Sequence, residues 1–177
     1  MDQFRTLLSP DDLQRRIQEL ADQLAGRYPD APCLVAVMEG ARVFASHLVR
    51  RLPWQASVHE IRAKSYHGGT VSSGEVQILG GEGIPAAGRP VLLFEDIVDT
   101  GRTVARLREH FLAAGASEFV VASLLSKPSR RVVEVDIDFL GFEIPDEFVI
   151  GFGMDLDGKY RDLDRVAIFE ESKTVEA

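Results

Sequence analysis

Glu95-Asp96 followed by Asp99-Thr100-Gly101-Arg102-Thr103 is the part of this 177-residue chain in which residue types and spacing could do chemistry. The second group offers backbone N–H groups and two hydroxyls where a helix begins, which is where an anionic phosphate is best stabilised. The first places two carboxylates side by side after a buried strand. They repel each other there unless hydroxyls, cations or a metal neutralise them. Acids beside a phosphate cradle point to a sugar phosphate held through its hydroxyls. An Asp or Thr before a helix could equally serve as a cap, and the paired acids are what favour a site. The Gly-Lys-Ser/Thr ending of a nucleotide-triphosphate P-loop and the Gly-x-Gly-x-x-Gly of a dinucleotide fold are both missing here.

The elements that must position these residues follow from periodicity. Val91–Phe94 is a continuous apolar run of the kind that a strand buried on both faces requires, with the acids at its carboxyl end. From Thr103 onward, Val104, Leu107, Phe111 and Leu112 recur at helical spacing until Ala114-Gly115 stops the helix. An earlier strand, Cys33–Met38, turns at Glu39-Gly40 into a helix whose Val43, Phe44, Leu48 and Leu52 face the sheet. Ser9-Pro10-Asp11-Asp12 starts the first helix, with Leu13, Ile17, Leu20 and Leu24 on one face. Val58–Ile61 and Phe119–Leu125 read as further strands.

Strands alternating with helices predict an α/β fold, a mainly parallel doubly wound sheet flanked by helices. Strands near Ile137–Leu140, Phe148–Ile150 and Val166–Phe169 are joined by loops too short for helices, so some of them are expected to form a small cap. The expectation is one domain over 1–177: a core at about 30–135, a cap from the N-terminal segment and about 136–170, and a flexible lid loop at about 64–90. The lid is read from seven glycines between 68 and 88, interrupted by the possible strand Glu75–Leu79.

Composition narrows the function. A formal charge of −8 argues against non-specific nucleic-acid binding. No apolar run approaches the roughly 18 residues needed to span a bilayer, so no membrane partner is expected and the default address is the cytoplasm. Cys33, the single cysteine, lies in an apolar run and is expected in the core. His47, His59, His67 and His110 lack metal-ligand spacing. Asp155-Leu156-Asp157-Gly158 places its glycine too early for a calcium loop.

The segment Val91–Val104 resembles the phosphoribosyl-diphosphate motif of the type I phosphoribosyltransferases. The rest of the chain is similar to their hypoxanthine-guanine branch, through Ser65–Thr70, Ser123–Arg131, Gly141–Gly151 and Met154-Asp155. The resemblance covers about Val35 to Phe169. It implies transfer of a phosphoribosyl group to a 6-oxopurine, with Mg²⁺ as cofactor and a homodimeric or homotetrameric assembly.

Roles are implied residue by residue. Asp99, Thr100, Gly101, Arg102 and Thr103 would bind the 5′-phosphate. Glu95 and Asp96 would take the ribose hydroxyls, directly or through the metal, and Asp155 is a second metal-associated acid. Asp99 would also exchange a proton with purine N7. Lys127 would donate to the 6-oxo group, Phe148 would stack on the base, and Val149 and Asp155 would border its edge. Glu39, Gly40, Ser65, Tyr66 and Arg161 would meet the diphosphate, with Ser65 and Tyr66 at the tip of the lid.

One departure stands out. Relatives commonly carry a basic or neutral residue where this chain has Glu39, and a carboxylate facing the diphosphate would repel it. Glu39 is therefore expected to turn away, toward Arg42 or a neighbouring subunit. Two rival readings remain at this level: a regulator of the same fold that binds phosphoribosyl diphosphate and nucleic acid, and a transferase for xanthine or another nucleobase.

Overall fold

The computed structural model describes residues 3–65 and 76–170. Its main sheet has six strands, and its middle is apolar on both faces. The strands are β2 (Cys33–Val37), β3 (Val58–Ser65), β4 (Val76–Leu79), β5 (Pro90–Val98), β6 (Glu118–Ser126) and β7 (Phe139–Glu143), in the order β4-β3-β2-β5-β6-β7. All neighbours run parallel except β4, which pairs antiparallel with β3 at the edge.

Side chains alternate across this sheet as the pleat demands. Leu92 and Phe94 enter one buried cluster, with Leu34 and Val120; Val91 and Leu93 enter the other, with Val35 and Val121. Helices α1 (Pro10–Arg27) and α2 (Ala41–Val49) cover the first face and α3 (Arg102–Ala113) the second. Phe44 of α2 meets Phe94 edge-on, with ring centroids 6.4 Å apart, and this contact seats α2 on the central strand. Ser9 caps α1 by accepting from the Asp12 N–H at 3.2 Å, with Pro10 in the first turn. Leu13, Ile17, Leu20 and Leu24 are all buried, and so is Cys33.

A second sheet, of β1 (Gln3–Leu8), β9 (Val166–Glu170) and β8 (Val149–Ile150) in the order β1-β9-β8, lies outside the first. Its Val149, Val166 and Ile168 join the α1/α2 cluster, so this small sheet shares the main core.

Four expectations are corrected. The strand at Phe139–Glu143 belongs to the main sheet and not to the cap, because it continues the parallel ladder from β6. The acids do not follow β5 but lie within it, since pairing with β6 persists through Glu95 and on to Val98. Leu112 is 45% exposed, while Val104, Leu107 and Phe111 alone form the buried stripe of α3. The expected lid also narrows. β4 is laddered to Arg62–Ser65, Ala86 is buried, and Gly88 donates to the Gly115 carbonyl at 2.7 Å, so residues 76–90 are tied to the body. Tyr66, His67 and the remainder of the expected lid tip lie outside the described residues, as does the tail beyond Glu170.

Truncation of Phe94 to Ala removes a fully buried ring and its edge contact with Phe44. Urea denaturation should show a loss of about 3–5 kcal/mol; a loss under about 1 kcal/mol would contradict this account of the core.

Candidate functional site

The carboxyl ends of β5 and β6, with the loop after β7, enclose a crevice of about 530 Å³ lined by Asp96, Asp99, Lys127, Phe148, Val149 and Asp155 among others. Its position follows from the sheet: parallel strands present their turns and following helix N-termini at one edge.

Asp96 lines its floor, and Glu95, the residue before it in β5, is buried behind it on the other side of the strand. Glu95 is 6% exposed, and its Oε2 has no hydrogen-bond partner. Burial, reinforced by the neighbouring Asp96 charge, holds its carboxyl well above the usual carboxylate range. Asp96 accepts from the Ile97 N–H at 2.9 Å, yet burial still raises its carboxyl to about 6. Gly40 is required beside it, because a Cβ there would overlap the Asp96 carboxylate. The Met38–Glu39 peptide bond leading into that glycine is cis.

The turn between β5 and α3 is set by Gly101, whose φ of 84° is left-handed and suits glycine. A Cβ there would also meet the Val133 carbonyl. The first-turn N–H groups of α3 have no acceptors within the helix and remain for an anion. Thr100, Arg102 and Thr103 surround them, and Thr100 Oγ1 lies 3.5 Å from the Arg102 N–H.

Asp99 does not cap α3, since Gly101 occupies that position without a side-chain bond. Instead Arg130 Nε donates to Asp99 Oδ1 at 3.0 Å, and Arg130 Nη1 reaches Asp146 at 3.6 Å. Arg131 Nη1 donates to the Asp99 carbonyl at 2.8 Å, and Nη2 to Ser126 Oγ at the same distance. The N–H groups of Val132 and Val133 both donate to the Thr100 carbonyl at 3.0 Å.

Lys127, only 9% exposed, projects from the end of β6 with Asp146 at 3.9 Å. Phe148 is 51% exposed on the crevice wall, with its ring roughly perpendicular to that of Phe169. The exposed part of the ring is available to a planar group in the crevice.

Arg161 pairs with Asp155 Oδ1 at 2.7 Å and donates to the Gly153 carbonyl at 2.7 Å; the Gly158 N–H fills Asp155 Oδ2 at 2.6 Å. Glu39 turns away from the acids as expected, toward Arg42 at 3.1 Å, and also to Arg62 at 2.8 Å. Ser65 ends β3 in the ladder with β4, and Tyr66 lies outside the described residues.

Arg130 and Asp146 were not singled out beforehand. Their signal was present in Lys127-Pro128-Ser129-Arg130-Arg131 and in Pro145-Asp146-Glu147, but only folding brings those two loops to Asp99.

A hard cation fits the floor. Glu95 has an orphaned buried oxygen, and both floor carboxyls are raised by desolvation, a penalty that a cation or hydroxyl donors would relieve. Among the described residues no three acids or histidines converge as a ready-made cage. That suits a small ion bound by one or two carboxylates and completed by water and phosphate oxygens.

A family model described as the phosphoribosyl transferase domain matches residues 8–157. The hypoxanthine-guanine phosphoribosyltransferase of Streptococcus thermophilus is 40% identical over 168 residues, 94% of this chain and 93% of that one. Among solved structures, a Bacillus anthracis hypoxanthine-guanine phosphoribosyltransferase with HEPES in its active site superposes with a TM-score of 0.87. It is 35% identical, covering 94% of this chain and 98% of that one. A Trypanosoma cruzi hypoxanthine phosphoribosyltransferase, studied for the role of its C-terminal region in oligomeric state and activity, gives a TM-score of 0.87 at 29% identity. There 94% of this chain and 91% of that one are covered.

Two outcomes test the floor. Because the Asp96 carboxyl titrates near 6, a proton competes with ligand below that pH. The affinity for ribose 5-phosphate with Mg²⁺, measured by calorimetry, should weaken by up to about tenfold per pH unit below 6 and flatten above it. Gly40→Ala should keep the wild-type melting profile but abolish that binding, and unchanged binding would show that Asp96 needs no such close approach.

Proposed function

The chain belongs to the phosphoribosyl transferase domain family, and we propose that its crevice carries out the purine-salvage reaction of the hypoxanthine-guanine branch. The enzyme moves the 5-phosphoribosyl group from phosphoribosyl diphosphate to hypoxanthine or guanine, giving IMP or GMP and diphosphate. The observation that carries this reading is the meeting of Asp96, Asp99, Lys127 and Phe148, from three separate stretches of the chain, in one crevice of the right size for a nucleotide.

The chemistry follows from the positions. The Asp99–Thr103 turn holds the 5′-phosphate on the N–H groups of α3 and the two threonine hydroxyls, with Arg102 adding positive charge. Glu95 and Asp96 accept from the ribose hydroxyls, which satisfies the orphaned carboxylate oxygen at the floor. Mg²⁺, held by one or two of these carboxylates and completed by water and phosphate oxygens, would neutralise charge on the departing diphosphate, with Asp155 adding negative charge nearby. Gly40 offers its backbone N–H to that diphosphate and Arg161 a guanidinium, and the family resemblance assigns Ser65 and Tyr66 to the same anion.

The purine lies against Phe148, with the Val149 backbone and Asp155 at its edge. Lys127 donates to the 6-oxo group. A 6-amino purine would set donor against donor and leave both unpaired, which excludes it. Asp99 accepts the N7 proton as N9 bonds to the anomeric carbon and the bond from that carbon to diphosphate breaks. Arg130 holds Asp99 Oδ1, so the other oxygen is the one left for N7.

The whole chain is taken as one such unit, in the cytoplasm and as a homodimer or homotetramer, on the strength of the family. No helix among the described residues is long and apolar enough to cross a membrane.

A steady-state assay of diphosphate release against a panel of nucleobases should show turnover of hypoxanthine and guanine, with adenine slower by roughly 10⁴-fold. Comparable rates with adenine or a pyrimidine would overturn the reading. Asp99→Asn should lower kcat about a hundredfold with little change in purine KM; an unaltered rate across the pH range would leave Asp99 only its bond to Arg130.

A further inference from the structure

Glu39 occupies the turn that borders the acid crevice, yet its side chain is committed elsewhere. The backbone of Gly40 packs on the Asp96 carboxylate, while the Glu39 carboxylate lies between two guanidiniums. Arg62, from β3, donates to Oε1 at 2.8 Å, and Arg42, from the first turn of α2, reaches Oε2 at 3.1 Å. Arg161 is near enough to add to the field that holds this carboxyl below the usual range, after the Arg62 hydrogen bond and the Arg42 charge. Arg42 also approaches Glu60 at 3.7 Å, and Arg161 is shared with Asp155. Three cations and three carboxylates therefore ring the turn. Without Glu39, one positive charge is left over beside the turn whose Gly40 packs on the Asp96 carboxylate.

Arg42 and Arg62 are both more than half exposed, at 55% and 61%. Ion pairs of that kind are worth little, because water screens them. A guanidinium facing a diphosphate forms shorter, charge-assisted and often bidentate hydrogen bonds, and the diphosphate carries several charges against one for a carboxylate. When the two anions compete, the arginines go to the diphosphate. The same arrangement accounts for the departure at position 39: this chain lacks a basic side chain there but brings two from neighbouring elements.

We propose that Glu39 is an internal stand-in for the diphosphate, holding Arg42 and Arg62 beside the Glu39-Gly40 turn that borders the crevice and yielding them to phosphoribosyl diphosphate on binding. The proposal rests on the transferase reading for the identity of the anion. Its consequence is a tuned affinity: each binding event must first displace a carboxylate, so diphosphate and phosphoribosyl diphosphate bind more weakly, and diphosphate leaves faster, than the arginines alone would permit.

The experiment is a double-mutant cycle read by direct calorimetric titration of inorganic diphosphate with Mg²⁺, which needs no turnover. Glu39→Gln keeps the shape and removes the charge; it should tighten diphosphate about tenfold. Arg62→Gln and Arg42→Gln should each weaken it by a similar factor. In the Glu39→Gln/Arg62→Gln protein most of the gain should vanish.

If Glu39→Gln tightens binding by the same factor with and without Arg62 and Arg42, the carboxylate acts by simple repulsion and the stand-in role is wrong. If none of the single variants moves diphosphate affinity by more than twofold, the ring is only a surface network, and the role is likewise wrong. Steady-state kinetics on the same proteins separate this from the reaction itself. A wild-type enzyme that turns over hypoxanthine while its diphosphate affinity ignores Glu39 sinks this inference alone. A protein that binds diphosphate as described but turns over no purine sinks the transferase reading alone. Thermal melting of every variant confirms that these exposed substitutions leave the fold intact.

Discussion

Desolvation of two adjacent carboxylates is the constraint around which the site is organised. β5 is the central strand, buried on both faces, and it carries Glu95 and Asp96 into an environment that penalises their charge. A structure serving stability alone would gain by replacing them with apolar residues. Their presence makes the crevice a place where hydroxyl donors or a cation gain more than they would in water, because they relieve a penalty already present in the fold. The neighbouring Gly40 has no side chain for the same reason: anything larger would displace the Asp96 carboxylate.

The second organising feature is the segment from Lys127 to Val133, which ties the crevice wall at Lys127 to the turn between β5 and α3. Lys127 directly follows β6 and lines the crevice. Within the next six residues, Arg130 grips the Asp99 carboxylate, Arg131 grips the Asp99 carbonyl, and the Val132 and Val133 N–H groups share the Thr100 carbonyl. The left-handed Gly101 can then lie against the Val133 carbonyl. The turn between β5 and α3 is thus held by bonds from the loop that begins at Lys127. A shift at one end would be felt at the other, through these bonds and not through the helices.

Much of this was legible along the chain, and for definable reasons. The core strands and helices announced themselves through period, because burial on two faces leaves no polar position in Val91–Phe94, and a helix on one face leaves a stripe. Glu95, Asp96 and the Asp99–Thr103 turn were legible because unlike demands meet within nine residues. Three features were not. The Phe139–Glu143 strand was assigned to the cap because connection length says nothing about which sheet edge is open. Leu112 fits a helical stripe by count, but its angle falls just beyond the covered face. The Gly-rich region was read as loose apart from the possible strand Glu75–Leu79, which β4 matches at Val76–Leu79, and the anchoring of Ala86 and the Gly88–Gly115 bond was not legible.

The chain by itself determined the fold class, the order of the strands' chemistry and the residue types available to hold a phosphorylated sugar, since each of these depends on neighbours within one element. Tertiary structure alone decided the partnerships: Arg130 with Asp99 and Asp146, Glu39 with Arg62, Gly40 with Asp96. Those pairs lie 16 to 56 positions apart in sequence. Periodicity carries no information over such spans, and a charge or a glycine takes on a specific task only when packing delivers its counterpart within a few ångströms.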